Sequence, residues 1–120
     1  MEAKHAVVAL SSLAQENRLD VFRHLVRAGA DGVPAGRIAD DLGIPAPTLS
    51  FHLSQLKNAG LVHARRDGRS LIYAVDYDAM NALMGFLTEN CCAGDAAACA
   101  APICDPAEGT LTRRKAGARR

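Results

Sequence analysis

Apolar positions recur every three or four residues along most of this chain, and the period drops to two once, just past residue 60. Ala6, Val7, Leu10, Leu13 and Ala14 keep helical spacing and predict a first helix over roughly residues 4–14. Leu19, Phe22, Leu25 and Val26 predict a second that ends before Gly29, and GADG (29–32) reads as a loop. Ile38, Ala39 and Leu42 mark a short third helix, with Pro34 suited to its beginning and Gly43 just past its end. After the tight turn GIPAP (43–47), Pro47 takes a first-turn position. Leu49, Leu53 and Leu56 then form one apolar stripe, closed by Gly60. Helix, short turn, helix is the core of a helix-turn-helix.

The alternating runs LVHARR (61–66) and SLIYAVD (70–76) flank Asp67-Gly68, which predicts a β-hairpin with a type I′ turn at that dipeptide. Met80, Leu83, Met84 and Leu87 follow i, i+3, i+4, i+7 spacing and predict a last helix that begins near Asp78 and reaches the cysteines. The fold class is therefore mainly α with a β-hairpin wing, a winged helix-turn-helix. Residues 1–92 are expected to form one winged-helix domain, for DNA binding and dimerisation. Residues 93–120, rich in Ala, Gly, Pro and charge, read as a flexible tail with a basic end.

Composition fits this picture. One hundred and twenty residues make one domain, 49% hydrophobic and 22% charged. The formal net charge of +1 hides an asymmetry, because RRKAGARR (113–120) holds five of the fourteen basic residues. Nine basic residues remain against thirteen acidic ones, so a DNA-binding surface has to be a local patch. The apolar run AVVAL (6–10) is too short for an export signal, and no stretch approaches the ~20 residues of a membrane helix. The expectation is a cytoplasmic protein whose thiols stay reduced. There is no credible nucleophile–base set and no phosphate-cradling glycine motif, so an enzyme is not expected.

On a helical wheel Leu49, Leu53 and Leu56 face the core, while Phe51 and Gln55 point away and Thr48 and Ser50 flank them. Thr48, Ser50 and Gln55 offer hydrogen bonds to base edges or phosphates. Phe51 reads either as a contact to thymine methyl groups or as a cover for a neighbouring helix. His52, about 40° from Leu56, reads first as a packing residue and borders the DNA-facing set. Arg65, Arg66 and Arg69 cluster around the hairpin tip, where arginines suit phosphates or a minor groove.

All four cysteines fall within ENCCAGDAAACAAPIC (89–104), as Cys91, Cys92, Cys99 and Cys104. In a reducing compartment such clustering points to a metal site or redox chemistry rather than a disulfide staple.

The words LAQENRLDVFRHL (13–25), TLSFHLSQLKNAGLV (48–62) and RRDGRSLIYAV (65–75) together resemble the ArsR/SmtB family of metal-responsive winged-helix repressors. The resemblance covers roughly residues 6–92 and implies a homodimer bound to double-stranded operator DNA, released when an effector binds. The first and last helices would form the interface, with Leu10, Met80, Leu83, Met84 and Leu87 as candidate contacts. The Met80–Leu87 stripe independently calls for a partner, its own core or both.

Members of the family place sensor sites differently. RIADDLGIPAPTLS (37–50) has no cysteine, and YDAMNALMGFLTEN (77–90) offers Asp78 and Glu89 but no histidine, so two patterns fail here. LTENCC (87–92) resembles the arsenic-responsive subgroup with a C-terminal cysteine site. That resemblance implies As(III) or related Sb(III) held by Cys91, Cys92 and a third thiolate, while methylarsenite, with two exchangeable positions, needs only the Cys91–Cys92 pair or one of them with a downstream cysteine. Soft thiolates select such thiophilic ions. Cys99 is the expected third ligand and Cys104 the alternate, since the longer loop carries Pro102. Cys91 is expected to continue the helical stripe, eleven residues after Met80, with Cys92 about 100° round from it. The alternatives are a Zn, Cd, Pb or Hg sensor, a thiol redox or persulfide sensor, and a winged-helix module for protein contact.

Overall fold

The computed structural model of the chain describes residues 1–91. It divides into two units, Met1–Phe86 and the segment from Leu87 onward. The first contains α1 (Ala3–Leu13), α2 (Glu16–Ala28), β1 (Val33–Pro34), α3 (Ala35–Leu42), α4 (Ala46–Asn58), β2 (Val62–Asp67), β3 (Ser70–Val75) and most of α5 (Tyr77–Leu87). The winged helix-turn-helix expected from the spacing is the observed fold.

Several helix ends have a local reason. Gln15 caps α2, its Oε1 accepting from the Arg18 N–H at 2.9 Å. Asp76 does the same for α5, its Oδ1 accepting from the Ala79 N–H at 3.0 Å. That starts the helix at Tyr77, one residue before the expected Asp78. Gly43, at φ 66°, closes α3, and Pro45 caps α4 with Pro47 in its first turn.

The core gathers one face of every helix. Leu25, Ile38, Leu49, Leu53, Leu56 and Leu61 are almost fully buried. Each contributes about 1.5–3 kcal/mol by leaving water. The Tyr77 hydroxyl donates to the Val26 carbonyl at 2.9 Å, pinning the start of α5 to α2. His24 Nε2 lies 3.2 Å from Asp41 Oδ2, joining α2 to α3.

The sheet is antiparallel with order β1-β3-β2. The spacing did not predict β1, since two residues carry no period of their own. The hairpin register pairs Asp67 with Ser70, so Gly68 and Arg69 are the two central turn residues. Gly68 has φ 64°, and Arg69 is not among the residues of positive φ. That combination suits a type II′ turn, which needs glycine only at its first central position, and corrects the type I′ expectation.

α5 ends at Leu87 and does not reach the cysteines. Asn90 takes a left-handed conformation at φ 59°, and the Cys91 N–H donates to the Thr88 carbonyl at 3.0 Å. Asparagine adopts this region more readily than other non-glycine residues. The turn takes Cys91 off the helix, so the continuous Met80–Cys91 stripe expected from the spacing is not formed.

Candidate nucleic-acid interface

α3, the turn over 43–45 and α4 present the helix-turn-helix, and the wing stands beside it. Thr48, Ser50 and Phe51 are exposed on α4, with Phe51 57% exposed, and Gln55 is half-buried. The buried stripe of Leu49, Leu53 and Leu56 fixes the rotation of the helix and turns these residues away from the core. Of the two readings of Phe51, its exposure fits the outward one.

His52 is buried, at 6% exposed, on the core side of α4. Neither ring nitrogen has a hydrogen-bond partner, and the Nε of Arg18 is likewise buried without one. Burial pushes the His52 pKa below its ordinary value, and the Arg18 charge pushes it the same way. Both effects favour the neutral ring. The buried position agrees with the reading of His52 as a packing residue rather than a DNA contact.

The wing arginines separate by position. Arg66 and Arg69 are exposed, Arg69 within the turn itself. Arg65 lies further down β2, and its Nη1 donates to the Asp31 carbonyl at 3.0 Å. Leu71 and Tyr73 of β3 line a small apolar cleft with Leu49, Ser50 and Leu53 of α4.

The dimer candidates also separate. Leu83 is buried in the protomer's own core. Met80 is partly buried against that core, Met84 is half-buried, and Leu10 and Leu87 are exposed. α1 has a feature the spacing alone did not single out. Its small residues Ala6 and Ala9 face inward, while Val7 and Val8 stand 60% and 49% exposed beside Leu10. Large apolar side chains outside small ones invert the usual pattern of a surface helix. The signal was present in the order AVVAL but needed the helix's rotation to be read.

Cys91 is exposed in the turn after α5. Cys92, Cys99 and Cys104 lie outside the described residues, as do the boundary expected after residue 92 and the basic end. Among the described residues no group of three or more His, Cys, Asp or Glu is placed to hold a metal ion. Among them, too, no helix is long and apolar enough to cross a membrane.

Comparison with known proteins agrees with this architecture. A helix-turn-helix domain family matches residues 13–65. The chain is 32% identical over 88 residues to the nodulation protein NolR of Rhizobium meliloti, spanning 73% of this chain and 70% of NolR. It superposes with a TM-score of 0.58 on the homodimeric winged helix-turn-helix DNA-binding domain of Mb0332 from Mycobacterium bovis, a possible ArsR-family transcriptional regulator. That match has 28% identity and covers 72% of this chain and 81% of the other. Reduced HlyU from Vibrio cholerae superposes with the same TM-score of 0.58 at 27% identity, over 75% of this chain and 92% of HlyU. On the 32% identity to NolR over most of both chains and the likeness to the winged helix-turn-helix domain of Mb0332, the chain belongs to the ArsR/SmtB-like family of winged helix-turn-helix transcriptional regulators.

Proposed function

We propose that this regulator is a homodimeric repressor that binds double-stranded operator DNA and releases it when a trivalent metalloid binds its cysteines. The observation that carries the reading is the confinement of all four cysteines to residues 89–104, directly after the last helix. The effector is As(III), Sb(III) or methylarsenite. As(III) or Sb(III) takes Cys91, Cys92 and Cys99, with Cys104 as the alternate third thiolate, and methylarsenite, with two exchangeable positions, takes two of these thiolates.

The donor chemistry fits. Trivalent arsenic takes three soft sulfurs in a pyramid, and adjacent cysteines followed by a third across a short loop can supply them. Cys91 follows α5 by only four residues, through the turn closed at Asn90. Thiolates drawn together there restrain the chain emerging from α5. In the homodimer that helix borders the partner, so ligation biases how the two protomers pack and how far apart their recognition helices stand. The exposed Val7, Val8 and Leu10 of α1 support the homodimer, because a second copy is a surface that would cover them.

The test is fluorescence anisotropy of a labelled duplex from upstream of the coding sequence, with reduced protein. Arsenite is titrated, with zinc, cadmium and peroxide in parallel. Release by near-stoichiometric arsenite alone supports the metalloid reading. Indifference to arsenite with release by peroxide, reversed by dithiothreitol, supports a thiol redox or persulfide sensor. That second reading draws on the likeness to HlyU, whose solved form is described as reduced. Release by cadmium, lead or zinc alone supports a metal sensor of the same fold.

A further inference from the structure

We propose that Arg65 is a positioning residue of the wing, which it ties to the loop before β1, and that Arg66 and Arg69 carry the wing's contacts to phosphate. The inference rests on the DNA-binding reading above and assigns separate roles to three arginines that sequence alone treats alike.

The register separates them. In the sheet order β1-β3-β2, Arg65 of β2 stands opposite Ile72 of β3, which stands opposite Pro34 of β1. Residues in one such row project from the same face of a sheet, and their neighbours along the strand project from the other. The hydrophobic core takes Val33, Tyr73, Val62 and Val75 from the alternate positions, so the exposed Arg65 lies on the face away from that core, the one on which the loop at Gly32 covers Ile72. Arg66 stands opposite Leu71, on the other face, which the cleft lined by Leu71, Tyr73 and Ser50 shows to be the one turned to the recognition helix. The two arginines therefore leave the hairpin on opposite sides.

Arg65 also has an acceptor suited to tethering. Its Nη1 crosses β3 to the Asp31 carbonyl, 3.0 Å away, in the loop before β1. That loop is pressed against the wing from the same side. A Cβ placed on Gly32 would lie 2.6 Å from the Tyr73 carbonyl oxygen and 2.9 Å from Ile72 Cγ2. Only glycine allows the approach, so the carbonyl is held where the guanidinium can reach it. A charge-assisted hydrogen bond is stronger than a neutral one. Here it joins the outer strand of the wing to the body across the strand between them. The acceptor is a backbone atom, so the Asp31 carboxylate takes no part.

The test is a mutant cycle on DNA affinity as a function of salt, using full-length protein and the labelled upstream duplex. Each phosphate that a variant no longer neutralises lowers the slope of log Kobs against log salt by about 0.9. Arg66→Ala and Arg69→Ala each lower it by that amount per wing engaged. Arg65→Ala weakens binding several-fold in the wild-type background. In the Arg66→Ala/Arg69→Ala background it changes neither affinity nor slope, because the wing then has no phosphate-binding side chain left to place. Asp31→Ala binds as wild type. A further fall in slope on adding Arg65→Ala to the double variant would overturn the assignment, since Arg65 would then touch phosphate itself. Equal affinity of wild type and Arg65→Ala would overturn it as well. Arg65→Lys, which keeps the charge but not the reach of the planar guanidinium, behaves like Arg65→Ala if the tether matters and like wild type if charge alone does. Failure of wild-type protein to bind the duplex at any salt would instead refute the DNA-binding reading on which the inference stands.

Discussion

At the scale of single residues, His52 has the most definite consequence. It is buried, with both ring nitrogens unpartnered, and burial together with the Arg18 charge disfavours its protonation in the folded state. Its pKa in the folded chain lies below the ordinary 6.5, so the unfolded chain binds the proton first. The stability that follows is fully present above pH 6.5 and is lost as the pH falls through the lowered folded value. Thermal melts from about pH 8 to about pH 5 check this: wild type loses stability over the acid part of that range, and His52→Leu loses markedly less. Parallel curves for the two proteins would show that His52 does not titrate as its burial requires. Gly32 supports a second prediction. A Cβ there meets backbone at 2.6 Å, and the positive φ of the position strains any L side chain, so Gly32→Ala costs more than about 1 kcal/mol, read from urea denaturation.

At the scale of elements, the recognition helix and the wing separate specificity from affinity. Thr48 and Ser50 are exposed on the outward side of α4. Thr48→Ala and Ser50→Ala are expected to narrow the affinity ratio between operator and unrelated duplex, by up to about 1–3 kcal/mol where a hydrogen bond to a base edge is removed. Both leave the salt slope almost unchanged, and competition titrations measure the ratio. Much of this is legible in the sequence, because Leu49, Leu53 and Leu56 fix the rotation of α4 and with it the exposure of Thr48 and Ser50. Other features have no sequence period to reveal them. β1 is two residues long, too short to show alternation. The run Asp67-Gly68-Arg69 contains a turn, but the choice of its central pair depends on how Asp67 meets Ser70 across the hairpin. Arg65 belongs with the tip by its sequence position, and only its row with Ile72 and Pro34 sets it apart. At Cys91 the side-chain spacing continues the Met80 stripe while the backbone does not, because Asn90 has turned left-handed.

At the scale of the whole molecule, an outward apolar face on α1 and a cysteine cluster after α5 bear on assembly and control. Val7, Val8 and Leu10 expose a surface that a homodimer would cover. Leu10→Glu places a charge in that surface, so sedimentation should find a monomer that binds operator DNA far more weakly. An unchanged dimer would mean that the protomers meet elsewhere. Control by thiolates is tested most directly by titrating arsenite into operator complexes of reduced wild-type and Cys91→Ser protein while following anisotropy. The two proteins should bind DNA alike without arsenite, wild type should release it at near-stoichiometric arsenite, and Cys91→Ser should stay bound. Release of Cys91→Ser at the same arsenite concentration as wild type would contradict the thiolate site proposed here.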